Sequence, residues 1–305
     1  MSIFMTILLK IIPLYLMIYL GFVATKYLEV GKEGIAKLLI YMIGPVVIFY
    51  GTYTVQLNFA NLTLPLLFLI ISCLICLLFL WIGNKIFKND STKNILAFTS
   101  GTGNTGYFGL PVVMGVLGEE AFSLAVLSIL GFVLYENTLG FFITAKGSHT
   151  AYESFKKVLK LPTVYAFFAG LTLNYLGFNL GELAVTTIQS FKGAYTLLGM
   201  MLIGMGLSSV KRSHIDFKFM SLTFLAKFLI WPAVVLSIIV IDNLYLNFYS
   251  AQVHSILILM SIVPLAANTV ALATELKVHP DKAAIAVLIS TIFALFYIPT
   301  IMLFF

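Results

Sequence analysis

Thr99-Ser100-Gly101-Thr102-Gly103-Asn104-Thr105-Gly106-Tyr107-Phe108-Gly109-Leu110-Pro111 lies inside a long apolar segment, yet it is not written like a lipid-facing helix. Four glycines and a proline fall between Gly101 and Pro111. Each glycine costs a helix about 1 kcal/mol and a proline about 3 kcal/mol. A helix interrupted in this way frees backbone N–H and C=O groups, and hydrocarbon offers them no partner. The segment is therefore expected to break near the middle of a membrane, buried in protein or lining a cavity. The same letters match G-x-G-x-x-G at Gly101, Gly103 and Gly106, but a dinucleotide site needs a preceding strand and a βαβ unit. Neither fits an apolar helical chain. The sequence contains no G-x-x-x-x-G-K-[ST], so ATP hydrolysis on this chain does not drive transport.

Outward from this stretch, the 305 residues are 61% hydrophobic and 10% charged, with a mean hydropathy of +1.05, which a soluble chain of this length would not tolerate. Long apolar segments predict ten membrane spans, at residues 3–25, 34–54, 64–83, 94–117, 120–145, 160–176, 187–207, 217–241, 250–273 and 283–304. The basic residues sort between them. Lys26, Lys32 and Lys37; Lys85, Lys88 and Lys93; Lys146, Lys156, Lys157 and Lys160; Lys211, Arg212 and Lys218; and Lys277 and Lys282 fall in the gaps after odd-numbered spans or in the first turn of the span that follows. The other gaps and both termini have none, so the basic loops are expected in the cytoplasm and both termini outside. The net charge of +6 is absorbed by loops facing anionic headgroups, which makes membrane lipid the partner and excludes nucleic acid. The first segment has no basic n-region or small-residue cleavage site and reads as a retained span. Cys73 and Cys76 lie among apolar neighbours in the third span and read as packing residues.

The two halves, 1–150 and 151–305, hold five spans each. An odd number of crossings reverses orientation, so a duplication would give an inverted repeat. Pro13 and Gly21 recur with the same spacing as Pro162 and Gly170, and Lys37, Gly44 and Gly51 as Lys192, Gly199 and Gly206. Ala125-Val126-Leu127 is matched by Ala286-Val287-Leu288, and Asn104-Thr105 by Asn268-Thr269. Inverted repeats belong largely to secondary transporters. The glycine stripes of the second and seventh spans are expected to bring neighbouring backbones close.

The ninth span repeats the interruption in Ser261-Ile262-Val263-Pro264-Leu265-Ala266-Ala267-Asn268-Thr269, where Pro264 removes a helical hydrogen bond beside Asn268. Two broken helices at matching positions point to a binding site, and half-helix N-termini there favour an anion. The candidate substrate-binding residues are Asn104, Thr105, Gly106, Asn268 and Thr269, with Pro111 and Pro264 shaping the breaks. Glu136, deep in the fifth span, has three open roles: proton coupling, cation ligation, or an ion pair with a lysine. Lys227 is its candidate partner or an anion contact. Lys10 and Lys192 read as snorkelling side chains. His214 and His254 sit near span ends and the other histidines in loops, so no metal site is expected.

The run Gly103 to Pro111, together with Pro264-Leu265-Ala266-Ala267, Asp281 and Ser290-Thr291, resembles the auxin efflux carrier family, which includes plant PIN proteins and bacterial organic-acid permeases. The resemblance spans essentially the whole chain. It implies an all-α integral membrane fold of ten transmembrane helices in two inverted five-helix repeats, shared in outline with bile acid sodium symporters. In that fold, spans 4 and 9 cross at their prolines, spans 1, 2, 6 and 7 form a scaffold, and spans 3–5 and 8–10 form a moving transport domain. An elevator-like motion and a homodimer through spans 2 and 7 are implied as well. One departure is Leu265 after Pro264, where many members have a second proline or a small residue.

The expected function is a secondary carrier for a small organic anion, of the malate or malonate type, in the bacterial cytoplasmic membrane. No cofactor is expected beyond a coupling H+ or Na+. The alternative is a ligand-binding sensor or channel on the same fold. An enzyme is disfavoured, since no nucleophile–base set or metal-ligand set is visible.

Overall fold

The computed structural model describes residues 3–145, 160–208 and 215–304. The described residues are helical or in short connections, with no strand among them. In chain order the helices are α1 (Ile3–Leu28), α2 (Lys32–Thr54), α3 (Phe59–Ile86), α4 (Thr92–Ser100), α5 (105–116), α6 (Glu119–Thr144), α7 (Pro162–Tyr175), α8 (Glu182–Ser208), α9 (Phe217–Leu246), α10 (Ala251–Ile262), α11 (Asn268–Glu275) and α12 (Pro280–Phe304). Six of these, α1, α2, α3, α6, α9 and α12, are long and apolar enough to cross a membrane. The other four expected spans have particular shapes. Residues 94–117 and 250–273 are each divided, into α4 with α5 and α10 with α11. α7 has 14 residues, while α8 has 27 and begins five residues earlier than expected, at Glu182. Lys146, Lys156, Lys157, Lys211, Arg212 and His214 lie outside the described residues.

Close helix contacts depend on glycine, but at positions other than the expected stripe. α1 meets α8 where Gly21 faces the Met201 backbone and Gly204 faces the Ile18 carbonyl; a Cβ at either position would strike main chain. α7 meets α2 in the same way, through Gly170 against the Phe49 carbonyl. Of the stripe residues, Gly51 meets the Val126 side chain, Gly199 meets Tyr107, and Gly206 has open space. The seven-residue spacing does not mark these contacts, because backbone proximity is decided by which turn sits at the crossing point.

The core lies around the divided helices. Residues 94–100 of α4 and 256–262 of α10 are buried on every side; α10 is apolar nearly all round, whereas α4 also buries Asn94, Thr99 and Ser100. Phe68, Phe132 and Trp231 stack beside them, with ring centroids 4.9 Å and 5.4 Å apart for the pairs Phe68–Phe132 and Phe132–Trp231. At one end, a polar network ties three helix starts together. The Asp90 carboxylate accepts the Thr92 N–H and hydroxyl, both at 2.9 Å, and lies 2.6 Å from His279 Nε2. Lys282 reaches Asp216 at 2.8 Å and Asp90 at 3.7 Å. Burial acts to raise the Asp90 carboxyl, but the bonds from Thr92 and the His279 contact outweigh it and hold the group down at about 2. Asp216 is also held low: its burial is overcome by Lys282 and by backbone donors at the start of α9.

Candidate functional site

α4 stops at Ser100, and residues 102–104 are non-helical. α10 stops at Ile262, and Val263 is extended, the conformation preferred ahead of a proline. The two interruptions touch, because the Asn104 N–H donates to the Pro264 carbonyl at 2.8 Å. The Leu265 N–H donates to the Ser290 hydroxyl at 3.1 Å. A second proline at 265 would have no hydrogen to give, so the departure at Leu265 is matched by a partner on α12. Carbonyls at the end of α4 are also satisfied: Phe98 accepts from the Tyr135 hydroxyl at 3.0 Å, and Ser100 accepts from the Trp231 indole N–H at 2.8 Å. Tyr135 and Trp231 are fully buried. In a setting without water these two donors allow the helix to end at mid-protein.

Beside the contact is a cavity of about 130 Å³. Its wall includes residues 103–107 at the start of α5 and Ala266, Ala267 and Asn268 at the start of α11. Glu136 and Phe132 of α6, Thr163 of α7 and Tyr195 of α8 complete much of the rest. Two helix N-termini therefore meet at one space, and their partial positive charge favours an anion there. Asn104 is 4% exposed and its Nδ2 has no hydrogen-bond partner among the described residues, so the cavity wall carries a buried donor with no acceptor there.

Glu136 lies in a π-helical turn, Glu136–Gly140, a widening of the helix often found at functional positions. The Thr102 hydroxyl donates to its Oε1 at 2.5 Å and the Asn268 amide to its Oε2 at 2.9 Å. Lys227 is in a similar turn, Ala226–Ile230, and is fully buried. Its Nζ lies 3.4 Å from the Met260 carbonyl and 4.8 Å from the Trp231 ring centroid. A Cβ on Gly103 would come within 2.5 Å of that nitrogen. Thr102 thus reaches a carboxylate while Gly103 abuts an ammonium, and the broken backbone runs between them. Among the described residues no ion pair joins Glu136 to a lysine.

Of the residues singled out from sequence, Asn104, Thr105, Gly106, Asn268 and Glu136 line the cavity. Pro111, Pro264, Thr269 and Lys227 do not. Pro111 opens the helix at 110–116, and Pro264 supplies the carbonyl bonded to Asn104. Lys192 is 2% exposed, pairs with Glu119, and has its ammonium 4.4 Å from the Phe122 ring centroid, so it ends in an ion pair and not in water. Lys10 is exposed. Tyr107, Thr163 and Tyr195 line the cavity and Thr102 bonds to Glu136; sequence reasoning assigned none of the four. Tyr107 and Thr102 stood inside the decisive stretch. Tyr195 shares a helical stripe with Lys192 and Gly199, and its ring centroid lies 5.8 Å from that of Tyr107.

Residues 6–156 match the model of a family described as Membrane transport protein. Over 289 residues the chain is 26% identical to an uncharacterized transporter of Methanocaldococcus jannaschii, an alignment covering 90% of this chain and 91% of the relative. It is 25% identical over 297 residues to an uncharacterized transporter of Methanothermobacter thermautotrophicus, covering 95% of each.

Proposed function

The chain belongs to the membrane transport protein family and is a multi-pass membrane transporter, and we propose that it is a secondary carrier for a small organic anion. The observation that carries this reading is the Asn104 amide, buried and unpartnered at the wall of a cavity onto which two helix N-termini open. A cavity of about 150 Å³ holds benzene, so about 130 Å³ suits a ligand with on the order of six non-hydrogen atoms. Short carboxylates and dicarboxylates such as malonate or malate are of that order. A sensor or channel on the same fold is the alternative.

In the proposed architecture, α4 with α5 and α10 with α11 each count as one interrupted span, which gives ten spans in inverted halves at 1–150 and 151–305. α1, α2, α7 and α8 form the scaffold, and α3–α6 with α9–α12 form the transport domain. Two observations support the division. Glycine-mediated contacts join α1 to α8 and α7 to α2, within the scaffold. The cavity has scaffold residues Thr163 and Tyr195 on one side and transport-domain residues Asn104, Glu136 and Asn268 on the other. A ligand held at that boundary moves when one domain slides against the other, as an elevator-like mechanism requires. A homodimer through α2 and α8, placement in the cytoplasmic membrane and both termini outside complete the proposal.

A thermal-shift screen of the purified protein against acetate, malonate, succinate, malate and citrate tests the ligand class, since a ligand bound only by the folded state raises the melting temperature. Stabilisation by one or more of these acids that is lost in Asn104→Ala is expected. Stabilisation by amines or neutral solutes, and by none of the acids, would sink the anion reading.

A further inference from the structure

We infer that the anion is carried together with one proton, and that the proton is held on the carboxyl group of Glu136. This rests on the cavity being an anion site, and it follows from charge balance. Glu136 is the charged side chain lining the cavity; no lysine or arginine is among the lining residues. Its two oxygens accept from neutral donors, the Thr102 hydroxyl at 2.5 Å and the Asn268 amide at 2.9 Å. The titratable groups nearest to it are Tyr107 on α5 and Tyr135 on its own helix, with Tyr195 on the α8 side of the cavity. None of these supplies a positive charge. Lys227, the nearby cation, is turned to the Met260 carbonyl and the Trp231 ring across Gly103, and it does not line the cavity.

With Glu136 ionised and Lys227 protonated, the broken backbone lies between one negative and one positive charge. An arriving anion adds a second negative charge inside about 130 Å³, a few ångströms from the first. Even with partial screening, the repulsion between two unit charges at that distance outweighs what a single hydrogen bond returns. One proton on Glu136 removes the repulsion and turns an acceptor into a donor that can face the ligand. Thr102 accommodates the change because a hydroxyl both donates and accepts. Deprotonation on the opposite side of the membrane restores the repulsion and favours release. A proton gradient thereby drives accumulation of the anion.

The test uses proteoliposomes containing the full chain, with the membrane potential clamped and radiolabelled malonate and malate as probes. In wild type, a gradient of one pH unit, acid outside, is expected to accumulate a probe about tenfold, the ratio for one coupled proton. Glu136→Gln removes the titrating carboxyl; whatever its absolute rate of uptake, the ratio of uptake with the pH gradient to uptake without it is expected to fall from about tenfold to one. Glu136→Asp retains a carboxyl and is expected to recover accumulation in part. Wild-type counterflow that ignores the pH gradient, or that follows a sodium gradient instead, overturns the proton while leaving the carrier reading intact. Glu136→Gln vesicles that still accumulate the probe overturn the assignment to Glu136. If neither probe shows counterflow, the anion reading has failed, and the proton on Glu136 is decided without a ligand. A difference infrared spectrum between mildly acidic and mildly alkaline pH is then expected to show a protonated-carboxyl C=O band in wild type and none in Glu136→Gln. Its absence from wild type overturns the inference.

Discussion

Replacing Asn104 by leucine separates a ligand-binding amide from a structural one. Leucine keeps asparagine's branching at Cγ and its number of side-chain heavy atoms, although it is bulkier, and the backbone N–H that bonds to the Pro264 carbonyl at 2.8 Å is untouched by the change. What disappears is a side-chain donor that is buried and has no partner among the described residues. An unmet buried donor costs about 1–3 kcal/mol, so the empty variant should be as stable as wild type or more so. In the bound protein the same donor faces a carboxylate. A hydrogen bond to a charged group contributes about 1.5–3 kcal/mol, and its loss weakens binding about tenfold to hundredfold. The assay is a melting curve at rising concentrations of the stabilising acid, for both proteins. The expected result is a ligand-free melting temperature that is unchanged or higher, with the dose response displaced to higher concentration. If instead the ligand-free variant melts well below wild type and its dose response is not displaced, the amide is structural and the site has been misread.

Other outcomes follow from single contacts. Gly204→Ala should lower the yield of folded protein, because its Cβ would strike the Ile18 carbonyl at the α1–α8 contact and overpacking costs about 1–3 kcal/mol; a yield equal to that of Gly206→Ala, where the space is open, would refute this. Trp231→Phe orphans the Ser100 carbonyl at the end of α4 and should destabilise by about 1–3 kcal/mol, read as a lower melting temperature. Asp90 is held at about 2, against an ordinary 3.8, so its stabilising contribution is complete above 3.8 and is lost as the pH falls toward 2. Asp90→Asn should accordingly flatten the melting temperature across that interval and leave the slope above it unchanged. In a chain lacking Cys73 and Cys76, a cysteine at Glu120 should react with an impermeant reagent in whole cells and one at Lys88 should be protected; the reverse pattern inverts the topology.

The breaks were legible because glycine and proline act on the backbone locally. Glycine and proline mark interruptions over residues 101–111 and at Pro264; the observed ones are confined to residues 101–104 and 263–267, and the helix resumes at Thr105 despite Gly106, Gly109 and Pro111. Asn104 and Asn268 were legible for a related reason, since an amide in an apolar segment needs an explanation. The donors that close the helix end were not. Tyr135 and Trp231 look like ordinary aromatic packing in an apolar run, and their bonds to Phe98 and Ser100 exist only because α6 and α9 flank α4. Thr102 was in view but had no partner until α6 placed Glu136 beside it. Lys192 read as snorkelling because Glu119, 73 positions away in the chain, cannot be seen from the sequence around it. The glycine spacing of α2 and α8 was real in sequence, yet it did not say which turn meets a neighbour's backbone. Gly21, Gly170 and Gly204 do so instead.

Counterflow in proteoliposomes tests the carrier claim most directly. Vesicles loaded with unlabelled malonate or malate, and exposed to a trace of the labelled acid, should take up label transiently above its equilibrium level with saturable dependence on the outside concentration. Asn104→Ala should shift that saturation to concentrations about tenfold to hundredfold higher. Label that merely equilibrates, at a rate proportional to concentration and indifferent to the loaded acid, would mean a standing pore. A signal absent from all vesicles, with binding retained, would mean a sensor. Either result contradicts a carrier that moves an anion held between the two broken helices.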